Sequence, residues 1–523
     1  MKTTILTLFF FCLLPPGFSQ TDSLSFTIQS AIGLGSGGYL PLYSGYRQHG
    51  KLNPNQQDGY LETQLHLPLL NRGKWKINTG VSYVLKPKIE TSFFHEGFLN
   101  TSYGAIELRL GKNEMKNDWY NDVLGSGNFF HSTNARTITK AGAGIYTYTE
   151  LPFFKYVEIK GALEVGLLEK DRPVSGAYYH EKFAYLKLAH LPFNPYVGLN
   201  HNAIFGGIDA IGQKLPSNFM EVFFAKNATN TPFIGDMVNA AGAHFGLFDL
   251  GFELPLDNNL MKVYFQQPIS DNSGYLTKFS EDKDYIIGIE MELAAHAFLK
   301  GFLYENIYTQ HQSGEGTSDP IINNQFYTLK QLNEMPDYDA FILNEYGITT
   351  SNATWDEFYE IIRDESNQGY RFNGRDDYYN NGYYPKGNTF HDMVIGTPLF
   401  TTKNRFEKLT GETLRERSFI INNRIQAHHV GIAGYYKDIA INFWFTFTYN
   451  MGTYAGKYGG NRFSWVPDTD YYFIRYNTGL QYLGLQVTKP GKNGLAYDLT
   501  LGLDEGRMGH SFGGLMKITY QIK

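Results

Sequence analysis

The stretch IAINFWFTFTYN, residues 439–450, decides how this chain is read. Ile439, Ile441, Phe443, Phe445, Phe447 and Tyr449 fall on one parity, and Ala440, Asn442, Trp444, Thr446 and Thr448 on the other. Successive side chains of a strand point to opposite faces, so the segment predicts a strand with one greasy and one wet side. The same split recurs from Leu495 to Asp504, from Asp284 to Leu293 and from Leu61 to Leu69. Strands of a soluble β-sandwich alternate too, but they usually hold about 5–6 residues. These run nearer ten, the length that a tilted membrane strand needs.

Composition agrees with that reading. The chain has 523 residues, 16% of them aromatic and only 18% charged, with 55 glycines. It is too aromatic and too weakly charged for disorder. Its length would suit several soluble domains or one large closed β structure, and the Tyr, Phe and Gly enrichment favours the second. A net charge of −6 argues against a nucleic-acid partner. The mean hydropathy of −0.33 is what alternating strands diluted by polar loops would average to.

Residues 1–19 read as a secretory signal peptide. Lys2 precedes an apolar run from Ile5 to Leu14, and the small residues Gly17 and Ser19 precede the expected cleavage point. The run is too short to span a bilayer, and no later segment offers 18 consecutive apolar residues. The only cysteine, Cys12, lies within that leader. The mature chain, 20–523, is therefore expected to be a single domain without disulfides or thiolate chemistry.

The connections fall into two kinds. Four of the short ones share a pattern, Leu67-Pro68-Leu69, Leu151-Pro152-Phe153, Leu191-Pro192-Phe193 and Leu254-Pro255-Leu256, read as turns because proline cannot donate to a ladder. Longer polar connections lie near 34–58, 112–137, 207–240, 267–283, 310–417 and 450–473. Transmembrane barrels join short periplasmic turns with longer extracellular loops. Counting strands under that rule gives an all-β transmembrane antiparallel barrel of about 18 strands, with both termini in the periplasm. A further candidate strand, His391–Pro398, would break the alternation and is assigned to the large extracellular insertion at 310–417. That insertion also contains a predicted short helix at 354–363, opened by Thr354 and Glu357 as a capping box.

After that helix comes the most suggestive composition in the chain, residues 371–384. Arg371, Arg375, Asp376, Asp377, Tyr378, Tyr379, Tyr383 and Tyr384 combine aromatic faces for stacking on a sugar with charged groups for its hydroxyls and acids. Trp465, in the next long loop, adds another face. The plainer reading makes such tyrosines a rim girdle or loop packing. Asp376, Asp377, Asn380 and Asn381 lack the spacing of a calcium loop, so no metal or cofactor is expected. Metalloprotease, nucleophile-elbow and phosphate-loop motifs are missing from the sequence, so the chain is not expected to be an enzyme.

Four segments resemble the capsule-assembly (Wzi-type) outer-membrane family: Leu124 to Arg136, Tyr179 to Leu188, Gly198 to Gly207 and His391 to Leu399. Composition and motifs are similar to those of a Bacteroidetes-type member. The resemblance implies an 18-stranded outer-membrane barrel acting as a lectin-like, non-catalytic receptor that attaches or organises capsular or exported polysaccharide. Its partners would be that polysaccharide and outer-membrane lipid, around a monomeric barrel. The chain departs from the family in entering its first strand soon after the leader and in ending on Gln521-Ile522-Lys523. The polar inner faces leave a second reading open, an outer-membrane pore for sugars or other small nutrients. A lipid-acting barrel enzyme is the third.

Overall fold

The alternating segments pair in sequence order into one closed sheet. The computed structural model describes residues 24–114, 120–229, 231–233, 236, 240–270, 284–294, 298–310, 312, 321–322, 325–326, 377–411, 413–414, 418–453 and 478–522. The first nine barrel strands are β1 (Ser25–Gly35), β2 (Asp58–Arg72), β3 (Trp75–Leu85), β4 (Phe93–Tyr103), β5 (Ile106–Lys112), β6 (Thr139–Leu151), β7 (Phe154–Leu167), β8 (Tyr178–Leu188) and β9 (Asn194–Phe205). The others are β10 (Ala243–Leu256), β11 (Asn259–Ile269), β12 (Tyr285–Leu293), β13 (Leu299–Tyr308), β14 (Ile425–Tyr436), β15 (Ile439–Asn450), β16 (Thr478–Pro490), β17 (Leu495–Gly506) and β18 (Gly509–Ile522). All neighbours are antiparallel, and β1 closes the 18-stranded sheet by pairing with β18 from Phe26↔Ile522 to Gly35↔Gly513. Closure matters because it leaves no edge of unpaired N–H and C=O groups.

The two faces divide as the alternation demands. On β17, Tyr497, Leu499 and Leu501 are exposed outward, while Asp498 turns inward and accepts from Gln486 at 2.6 Å and Thr488 at 2.7 Å. On β15, Trp444, Thr446 and Thr448 are buried in the lumen. Exposed Ile32, Val81, Leu108, Leu186, Leu250 and Ile289 continue the apolar belt around the wall. Such a belt suits hydrocarbon, whereas the buried acids, amides and histidines inside need hydrogen-bond partners.

Short turns gather at one end and the longer connections at the other, apart from the brief 86–92 and 507–508 links on the long-loop side. Two of the four proline turns are corrected by the structure. β2 runs through Pro68 to Arg72, with a register shift between Pro68 and Leu70, and β10 continues through Pro255 to Leu256. Proline is tolerated at a bulge or a strand end, where its missing N–H breaks no regular ladder bond. The turns follow at Gly73 and at Asp257, both with positive φ.

The segment at 391–398 is not a barrel strand. Thr389–Phe390 and Met393–Val394 form a small hairpin whose tip residues, His391 and Asp392, have φ of 47° and 63°, as a tight primed turn requires. The same connection carries a helix the sequence reading did not place, Lys403–Thr410, capped by Thr402 and ended by Gly411 in the left-handed region. Residues 1–23 and the helix expected at 354–363 lie outside the described residues.

Candidate functional site

Several long connections fold into the barrel. The segment 120–137 is one of them, and the wall supplies the polar groups that hold it. Glu305 of β13 accepts from the Ser126 amide at 2.7 Å and from the Tyr264 hydroxyl at 2.6 Å. The Trp444 indole donates to the Val123 carbonyl at 2.8 Å. His429 Nε2 lies 2.6 Å from the Leu124 carbonyl, which fixes that nitrogen as the donor. Gly431 lets this backbone approach, since a Cβ there would stand 2.2 Å from the Leu124 oxygen.

Two further pieces pack beside it. A one-turn helix, Leu42–Gly45, sets the Leu42 amide 3.0 Å from the Asp504 carboxylate and stacks Tyr43 on Trp444. Arg405 of the Lys403–Thr410 helix donates to the carbonyls of Pro54 (2.9 Å) and Leu40 (3.0 Å) and faces Asp504 at 3.3 Å. The stretch 377–400 lies against segment 120–137, with Ser132 donating to the Gly396 carbonyl at 2.6 Å and Asn134 to that of Val394 at 2.9 Å. These pieces share one buried cluster, which includes Tyr43, Phe129, Tyr379, Phe400 and Trp444.

That packing decides where the expected site residues stand. Tyr378, Tyr379 and Tyr384 are 0%, 3% and 1% exposed. Their hydroxyls donate to Asp284 (2.9 Å), the Phe129 carbonyl and the Gly206 carbonyl (3.1 Å). Asp377 accepts from Asn423 at 2.6 Å and from Thr453. Tyr383 is half-buried, its ring 5.1 Å from that of Phe233. In this arrangement Tyr378, Tyr379 and Tyr384 anchor the insertion: each ring fills an apolar gap while its hydroxyl answers a polar group of the wet interior. Arg371, Arg375, Asp376 and Trp465 lie outside the described residues.

The structure brings a different set of groups together at the long-loop end. A cavity of about 230 Å³ opens between the 46–58 loop, the 86–92 link, Arg136 and the 391–404 region. Asn53, Asn55, Gln56 and Asn404 supply amides to its lining, and Lys86, Arg136 and Asp58 supply charge. Lys86 donates to Asp58 and, at 2.7 Å, to the Lys51 carbonyl. Burial pulls the Lys86 ammonium below its usual value, and Asp58 pushes it back up. Such a lining offers amides and charges to a hydroxyl-rich ligand. Sequence reasoning missed it because its walls come from four distant segments. The signals were the run Asn53-Pro54-Asn55-Gln56-Gln57-Asp58 and Arg136 at the end of a glycine- and asparagine-rich stretch.

Elsewhere, ligand atoms of Glu150, Glu158 and His190 lie within 4.8 Å of one another at the short-turn end. Ion pairs account for them: His190 with Glu150 at 2.8 Å, and Lys187 with Glu158 at 2.9 Å.

No family model and no curated protein sequence matches the chain. Solved structures do. Wzi of Escherichia coli, described as an outer-membrane protein involved in group 1 capsule assembly and a carbohydrate-binding β-barrel, aligns with a TM-score of 0.53 at 11% identity. The alignment covers 94% of this chain and 83% of that one. The likeness is one of fold. OccK3 and OprD of Pseudomonas aeruginosa also align, each with a TM-score of 0.45, at 9% and 8% identity. They cover 95% and 97% of this chain, and 95% and 96% of their own.

Proposed function

We propose that this chain is an outer-membrane β-barrel that binds and organises capsular or exported polysaccharide at the cell surface, as a lectin-like receptor without catalysis. The observation that carries the reading is the set of connections folded into the lumen and fixed there, with a polar cavity at the long-loop end. Segment 120–137, the Leu42–Gly45 turn and the 377–410 region occupy the interior with buried, hydrogen-bonded groups. A diffusion pore needs a continuous wet path, which connections folded inward and fixed by buried hydrogen bonds disfavour. A receptor needs a fixed rim, and the same residues hold that rim rigid. Similarity of fold to a carbohydrate-binding barrel supports the reading.

The test is deletion of the gene in its host. Cells lacking the protein should still make polysaccharide but shed it into the medium. Unchanged retention at the surface would sink the proposal. Reconstitution in planar bilayers separates the pore alternative, since a receptor with a packed lumen gives no stable open-channel current.

A further inference from the structure

Within that reading, and resting on it, we infer that the rim cavity takes an acidic sugar residue, whose carboxylate is gripped by the guanidinium of Arg136. The side chain is held in place from two sides. Its guanidinium carbon lies 3.7 Å from the centre of the Phe93 ring, and its Nε donates to the Gly50 carbonyl at 3.3 Å. Stacking on the ring fixes the plane of the fork, and the Nε bond fixes its rotation. What remains for a ligand is the terminal amino pair, whose planar geometry suits a carboxylate.

The other charged groups lining the cavity are paired, Asp392 with Lys386 among them. Lys86 is answered by Asp58, and Lys51 by Glu62 and Glu114, each of the latter at 2.9 Å. Among the described residues, no carboxylate oxygen stands within 4.0 Å of Arg136 or of neighbouring Lys112, whose ammonium donates to the Phe94 carbonyl at 3.2 Å. Burial lowers the proton affinity of Arg136, and Asp58, Asp171 and Glu169 offset this from further away. A partly desolvated cation without a close counter-ion attracts an anion more strongly than a hydrated one does.

The rest of the cavity suits the rest of a sugar. Asn55 Oδ1 is buried and lacks a hydrogen-bond partner, so it can accept from a ring hydroxyl. Asn404 donates to Asp392 over a long 3.4 Å, and its amide keeps a further donor and its oxygen for a sugar hydroxyl. Carboxylate on Arg136 and hydroxyls on the amides together describe a uronic acid unit better than a neutral hexose.

The experiment uses the full chain in detergent, with a hexuronate oligosaccharide and its carboxyl-reduced counterpart as probes in a calorimetric titration. The acidic probe should bind, and the reduced one should bind roughly ten- to hundredfold more weakly, the span expected of a charge-assisted bond. R136Q should lose that preference. R136K should recover only part of it, because an ammonium keeps charge without the fork. Heat-shifted migration on gels verifies that each variant is a folded barrel, and R72Q, at the opposite end, should bind as the parent does. Equal binding of both probes by the parent, or an unchanged preference in folded R136Q, overturns the inference while leaving saccharide binding intact. Failure of the acidic probe to bind also overturns it, and polysaccharide retention in cells then judges the broader reading separately.

Discussion

The phenol ring of Tyr43 stacks on the indole of Trp444 with centroids 5.3 Å apart and planes 14° from parallel. One ring belongs to an inward-folded connection and the other to the barrel wall, so the pair fastens the lumen filling to the sheet. Arg47 adds its guanidinium 5.3 Å from the Trp444 ring, and the indole N–H holds the Val123 carbonyl.

Trp444→Ala should therefore loosen both inward segments at once. Burial lost from a large aromatic typically costs about 3–5 kcal/mol. The sheet's ladder bonds stay, so the cost should fall on the filling. Single-channel recording should show flickering openings in the variant that the parent lacks. A variant as silent as the parent would mean that other contacts seal the lumen without this pair.

Gly431→Ala tests the same seam by sterics alone. The added methyl would stand 2.2 Å from the Leu124 carbonyl oxygen, which is backbone and cannot rotate away. Segment 120–137 must move, and protease should cleave it faster in the intact barrel. Gly97→Ala, where nothing lies within 4 Å of the new methyl, serves as control and should cut at the parental rate.

The outward belt makes a prediction about the bilayer. Leu501 sits in mid-strand on the apolar side of β17, 37% exposed. Leu501→Arg should destabilise the barrel by about 2–4 kcal/mol if the site lies near the bilayer midplane. Denaturant titration in lipid vesicles measures this. An effect no larger than a few tenths of a kcal/mol would show that this face does not meet hydrocarbon.

Asp236 should give the long-loop end a pH dependence. Its carboxyl is buried, and desolvation lifts it to about 7, with the Gly242 amide opposing the shift only weakly. The unfolded loop titrates near the ordinary ~3.9, so between those values the folded loop holds the extra proton. Local stability is therefore full at low pH, falls as pH rises from about 4 to about 7, and is level above that. Amide-exchange protection at Ala228, which donates to the Asp236 carbonyl at 2.6 Å, should follow that course. Asp236→Asn should flatten it, and a parent protein with flat protection would remove Asp236 as the cause.

By itself, the sequence determined the strands, their number and which of their faces is wet. The strands and their wet faces follow from a period of two written into each segment, and their number from the alternation of short turns with long connections. IAINFWFTFTYN already separates Trp444, Thr446 and Thr448 from the apolar row of Ile439 to Tyr449. Only the tertiary structure decided what the loops do. Tyr378, Tyr379 and Tyr384 look alike whether they face a ligand or a neighbour. They became anchors because Asp284, Phe129 and Gly206 come from other connections and meet them inside the barrel. The rim cavity has the same origin: Asn55, Lys86, Arg136 and Asn404 are far apart in the chain, and barrel closure places them around one space. Local periodicity is readable residue by residue, whereas a lumen is shared by segments that the sequence keeps apart.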